Sequence, residues 1–172
     1  MHKLGHRGLS SSSHEHLRGL TLIELLVTLV IISILASAAL PFAETTIGRE
    51  KELELRRSLR DVRSAIDRFN DDWVAGRIPK TSEGVSEDGY PRSLSVLVVG
   101  VDSGDARGGK RKYLRRIPRD PLADSKQPPA QQWVLRGYQD AVDAIVWNKK
   151  DVYDIRSGSE ATALDGTRYR DW

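Results

Sequence analysis

Two apolar patterns follow one another in the first part of the chain, and they differ in kind. From Leu20 to Leu40, 21 residues are almost uniformly apolar, with Glu24 the single charge. As a helix this run is about 31 Å long at about 1.5 Å per residue, enough for a hydrocarbon core of about 30 Å. Beyond Pro41 the pattern becomes periodic. Leu55, Leu59, Val62, Ile66, Phe69 and Trp73 recur at spacings of 4, 3, 4, 3 and 4. That is one face of an amphipathic helix. Its other faces are dense in charge, and pairs such as Glu52 with Arg56 sit four residues apart, where each adds a few tenths of a kcal/mol. The stripe from Leu59 to Trp73 is expected to pack on the chain's own core. Gly76 and Pro79 are expected to end the helix.

The remainder is punctuated more often. Residues 76–93 are rich in Gly, Pro, Ser and acids and read as a loop. Ser93–Val101 is a short apolar run that fits a strand or a short helix equally by pattern. Gly100–Lys112 reads as a basic loop. In Tyr113–Leu122, Pro118 and Pro121 forbid a regular helix. Gln132–Tyr138 and Ala144–Trp147 are expected to pair as strands, with Asp151–Ser157 as a third. The tail from Gly158 to Trp172 is polar, with turns at Gly158 and Gly166. One long helix followed by a small antiparallel sheet is an α+β layout.

Composition narrows the chemistry. Cysteine is absent, and the four histidines, His2, His6, His14 and His16, all precede the apolar run. If residues 1–19 are removed, the remainder has neither type, which excludes Ser-His-Asp, Cys-His and zinc chemistry. An enzyme is therefore not expected. Lys3, Arg7 and Arg18 against Glu15 give that first segment a net charge of +2, leaving +1 of the formal +3 for the rest. So small a charge gives no general push toward nucleic acid. An ordinary secretory signal has a shorter apolar region, although Ala36-Ser37-Ala38 imitates its cleavage site. A plain membrane anchor explains the length but not Gly19 just before the run and Glu24 five residues into it.

Those last features resemble the type IV prepilin signal of pilins and of the pseudopilins of type II secretion. The resemblance implies a leader, residues 1–19, cut by a prepilin peptidase between Gly19 and Leu20. It implies N-methylation of Leu20, which stands where the family usually has Phe. It also implies that Glu24 directs assembly and that Pro41 marks a bend. In that scheme residues 20–40 form a transmembrane helix and filament core, 41–75 its amphipathic continuation, and 76–172 a periplasmic globular region. The segment YLRRIPRDPL with the downstream WVLRGY and the C-terminal tail is similar to the major pseudopilin, the G subunit. The partners then implied are sister copies in a helical filament, the peptidase, an inner-membrane assembly platform, minor pseudopilins and lipid. The implied location is the bacterial inner membrane, crossed once, with the C-terminal region in the periplasm. The alternatives are a type IV pilin for adhesion, motility or DNA uptake, and a membrane-tethered periplasmic binding module.

The same resemblance implies calcium in the acidic tail, where Asp154, Ser157, Glu160, Asp165 and Asp171 are the candidate ligands. Calcium takes 6 to 8 oxygen ligands, and a solvated loop is the competing expectation. Lys110, Arg111, Lys112, Arg115 and Arg116 form a basic stretch around Tyr113, diluted by nearby acids, so nucleic acid is not an expected partner. Gly104–Arg111 approaches a nucleotide-binding loop, but Arg111 stands where Ser or Thr must hold magnesium.

Overall fold

The structure, a computed structural model, describes residues 21–104, 108–144 and 146–172, with the backbone alone for 38–45. It divides into two compact units, residues 1–43 and 44–172. Helix α1 is Leu22–Val74.

The first unit contains the N-terminal part of α1. Thr21 precedes the helix, and its Oγ1 accepts the Glu24 amide hydrogen at 3.2 Å. That is the side-chain cap a helix start needs for its orphan donors. Every described side chain from Thr21 to Ser37 is exposed. Among the described residues, no helix is long and apolar enough to cross a membrane. The expected span, Leu20–Leu40, has both its ends outside the side chains described.

The second unit is built on the distal part of α1. Leu55, Leu59, Val62, Ala65, Ile66 and Phe69 are buried, as their spacing predicts. Val74 ends the helix and Gly76 follows with φ 72°. The Gly76 amide bonds the Trp73 carbonyl at 3.0 Å and the Arg77 amide bonds the Asp72 carbonyl at 2.8 Å. This is the paired closure that a left-handed glycine permits. The Arg77 guanidinium lies 2.6 Å from Asp72 Oδ1, a charge pair where an apolar contact is usual.

Against the buried stripe pack Ile78, Val85, Leu94, Leu97, Val101, Trp133, Val152 and Ile155. Helix α2 is Leu94–Val99, followed at once by β1, Val101–Asp102. The ambiguous apolar run is thus a helix, and its last residue starts a strand. β1 pairs antiparallel with β2, Lys110–Arg111. β3, Trp133–Arg136, pairs antiparallel with β4, Asp154–Ser157, Trp133 facing Ser157. The layout is α+β, as expected, but the sheet is two separate strand pairs.

One expected strand is absent. The described residues of Ala144–Trp147 form turns and irregular chain. Polar clasps fold the connection back on itself. Asp140 Oδ2 accepts the Gly137 amide at 2.8 Å and the Asn148 amide at 3.3 Å. Asp151 Oδ1 accepts the Tyr138 amide at 2.8 Å. β4 takes the place beside β3 that the sequence pattern gave to Ala144–Trp147.

Tyr113–Leu122 is locked to this core by backbone and buried polar bonds. The Leu97 carbonyl accepts both the Tyr113 and Leu114 amides at 2.9 Å. The Trp133 indole donates to the Pro118 carbonyl at 3.0 Å. Asp120, buried, accepts the Ser157 hydroxyl on Oδ2 at 2.7 Å and the Leu122 amide on Oδ1 at 2.8 Å. Its own amide donates to Gln132 Oε1 at 3.1 Å.

Candidate functional site

The candidate site is the exposed start of α1. Eleven large apolar side chains between Leu22 and Leu35 are 47–84% exposed. Single exposed apolar residues are ordinary on a protein surface, but a continuous patch of this size marks a surface that is covered in use. Glu24 is exposed on the first turn. Thr21 and Glu24 have the spacing of a helix-start box, in which a Thr cap precedes an acid by three residues. The positive end of the helix dipole also favours a carboxylate there. The Thr21 cap engages the Glu24 backbone amide, and the Thr-x-x-Glu spacing is the sequence signal for that cap. Gly19 and Leu20 lie outside the described residues, as does the Pro41 side chain.

The five candidate calcium ligands are described, and the structure gives them other partners. Asp154 lies between Arg63, at 2.7 Å, and Arg136, at 3.1 Å. Ser157 donates to Asp120, and its oxygen accepts the Ser159 amide at 3.1 Å. Both Glu160 oxygens accept from Arg170, at 3.2 and 3.1 Å. Asp171 lies 3.6 Å from the same guanidinium. Asp165 accepts the Thr167 hydroxyl at 2.6 Å and amide at 2.9 Å, which hold its carboxyl below the ordinary value. Among the described residues, no group of three or more His, Cys, Asp or Glu could hold a metal ion. The expected calcium set is not assembled, because arginines and a threonine already occupy its carboxylates.

What the tail does instead is bind α1. Glu52 Oε1 accepts the Leu164 amide at 2.7 Å and the Tyr169 hydroxyl at 3.1 Å. Burial, then the bond to Glu52, push the Tyr169 hydroxyl above its ordinary pKa. Arg56 lies over the Trp172 ring at 4.2 Å. Arg63 donates to the Ile155 carbonyl at 2.9 Å and the Trp172 carbonyl at 2.6 Å. By sequence these three residues lie on the charge-dense faces of the helix, with Glu52 and Arg56 four residues apart; the structure turns them to the tail.

The basic stretch is partly spent inside the fold. Asp72 Oδ2 accepts from Tyr113 at 2.8 Å and from Arg111 at 3.0 Å. Burial pushes the Asp72 carboxyl up, but bonds from Tyr113 and Arg77 and the Arg111 charge outweigh it, and the net shift is downward. Tyr113 is raised by burial and by its bond to Asp72. Lys110 and Arg111 form a strand where a nucleotide loop needs a helix start.

No curated protein and no solved structure matches the chain. The family model described as the prokaryotic N-terminal methylation motif matches residues 17–40. The match takes in Gly19, Leu20 and Glu24 together with the exposed apolar face, so in this segment the chain is type IV pilin-like.

Proposed function

We propose that the chain is a structural filament subunit of type II secretion, most similar to the major pseudopilin. A prepilin peptidase removes residues 1–19. The apolar helix from Leu20 then holds the chain in the inner membrane, with the second unit in the periplasm. An assembly platform, with minor pseudopilins, draws the subunits into a filament that drives export. Leu20 carries the methylated amine. The chain performs no chemistry of its own; its work is packing.

The observation that carries this proposal is the contrast between the two parts of α1. The distal part buries its stripe against its own unit, while Leu22–Leu35 leaves eleven large apolar side chains uncovered. At about 25 cal/mol per Å², covering such a face supplies the driving force for lipid insertion or for bundling with sister helices. Glu24 then pairs with the Leu20 ammonium of a neighbour shifted along the axis. That neutralises two charges which are each costly in a low-dielectric setting. Pro41 lacks an amide hydrogen and so removes one helix bond, which lets the subunit adjust as it leaves lipid. The methylation motif is shared by pilins and pseudopilins, and the segment from Tyr113 to Leu122 favours secretion.

Mass spectrometry of the full chain, produced with a prepilin peptidase, tests the processing step. The expected N-terminus is Leu20, with residues 1–19 lost. A product that keeps Met1 would show that this bond is not cut.

A further inference from the structure

A groove of about 1120 Å³ runs along the second unit beside α1. Its floor is one face of the helix, Glu54, Ser58, Asp61, Ser64 and Arg68, spaced by 4, 3, 3 and 4 residues. Short side chains at Ser58 and Ser64 leave the space open. One wall is α2, where Val99 is exposed. The other is Leu114–Arg119, the segment fixed by Asp120 and Trp133. The rim is basic. Arg115 and Arg116 are exposed, and among the described residues neither makes a hydrogen bond or an ion pair.

An acidic turn lies on the same unit. Residues 86–89, Ser-Glu-Asp-Gly, form a tight turn. The Gly89 amide bonds the Ser86 carbonyl at 3.1 Å, and the Tyr90 amide bonds Ser86 Oγ at 3.0 Å. A flanking bridge joins Val85 to Pro91. Asn70 donates to the Gly89 carbonyl at 3.2 Å and so ties the turn to α1. Gly89 has φ 83°, and a Cβ there would meet Trp73 at 2.3 Å, so the turn is held in one shape. Glu87 at its tip and Glu83 beside it are exposed. Neither has a partner among the described residues.

We propose that this groove receives the acidic turn at Glu87 from a second copy of the chain. The proposal rests on the filament function above and names a contact between the globular units. An acidic turn and a basic-rimmed groove on one molecule make a heterologous pair, which propagates as an open array when the rotation between copies does not close a ring. The turn is tied to α1 at Asn70, and the groove floor is centred near Asp61. The two are about nine residues apart, or about 14 Å along the helix axis at about 1.5 Å per residue. Copies joined this way are staggered along α1. Arg115 and Arg116 on the rim, opposite in charge to Glu87 and Glu83, set the register.

The chain has no cysteine of its own, so paired cysteines report this contact cleanly. In the full chain, assembled with peptidase and platform, the double variant Glu87→Cys/Arg116→Cys is expected to give an oxidised ladder of multimers. Each single cysteine variant gives none beyond a dimer. Charge reversal at either site, Glu87→Arg or Arg116→Glu, is expected to lower the assembled fraction about fivefold, and the double swap restores it to within about twofold. Both positions are exposed, and an unchanged melting curve confirms that the variants fold. Filaments that form, cross-link through Leu29→Cys, and yet show no link between positions 87 and 116 would overturn the groove contact and leave the filament standing. A cross-linked product containing a different protein would overturn it as well. Failure of the unaltered chain to form filaments at all would overturn both.

Discussion

Asp120→Ala removes the buried carboxylate that ties the Tyr113–Leu122 segment to β4. Two donors lose their acceptor: the Ser157 hydroxyl, at 2.7 Å and fully buried, and the Leu122 amide, at 2.8 Å. A buried donor left unpaired costs about 1–3 kcal/mol, and the Leu122 amide is only partly buried, so the expected loss is about 2–4 kcal/mol. Asp120→Asn keeps a carbonyl for the amide and lets the hydroxyl rotate to accept, so its expected cost is about 1 kcal/mol. Ser157→Ala on top of Asp120→Ala removes the stranded hydroxyl. The double variant is therefore expected to be less destabilised than the sum of the singles by about 1 kcal/mol. Urea unfolding of the full chain in detergent, followed by tryptophan fluorescence, measures all four. Trp133 is a local reporter because its indole bonds the Pro118 carbonyl in the same segment. A cost below about 0.5 kcal/mol for Asp120→Ala, the range of ordinary surface changes, would refute the reasoning. Strict additivity with Ser157→Ala would refute the coupling.

Burial pushes the Asp151 carboxyl above its ordinary value of 3.8, so the folded state prefers it protonated and loses stability as pH rises through that shifted value. Asp151→Asn keeps an acceptor for the Tyr138 amide and should stabilise the chain at neutral pH; melting curves should show the gain vanish below about pH 3.8. The Asp72 shift has the opposite sign: its contribution is complete above 3.8 and is lost as pH falls below it. Asp72→Asn should therefore lower the melting temperature at neutral pH and have little effect in strong acid. Calcium and chelator should leave the melting curve unchanged, because the tail carboxylates already face arginines; a calcium-dependent rise of several degrees would restore the metal site. Glu24→Gln should be processed normally yet fail to enter filaments, and normal incorporation seen by cross-linking would remove the proposed charge pairing.

The parts of the fold governed by a repeating pattern were legible in the sequence. The 4-3-4-3-4 stripe identified the buried face of α1 because burial on a helix selects every third or fourth position. Gly76 marked its end because the closing residue needs a positive φ. Trp133–Arg136 and Asp154–Ser157 were legible as strands. Ala144–Trp147 misled because a short apolar run carries no period, and here Val146 is 79% exposed in a loop clasped by Asp140 and Asp151. The tail misled for another reason. A carboxylate is visible in sequence, but the arginine that neutralises it is not, and Arg63 lies 91 residues from Asp154. The polar lock at Asp120 was hidden in the same way, since Ser157 is 37 residues away. At the candidate site the apolar run and Glu24 were plain in the sequence, and the Thr21 cap is visible there only as the Thr-x-x-Glu spacing.

In the assembled state the apolar face from Leu22 to Leu35 is expected to be covered by sister copies. Disulfide cross-linking through Leu29→Cys in the full chain, produced with peptidase and platform, tests it directly. With one cysteine per chain, coverage by sister copies gives a disulfide-linked dimer band on a non-reducing gel. A single monomer band under the same oxidation would contradict it.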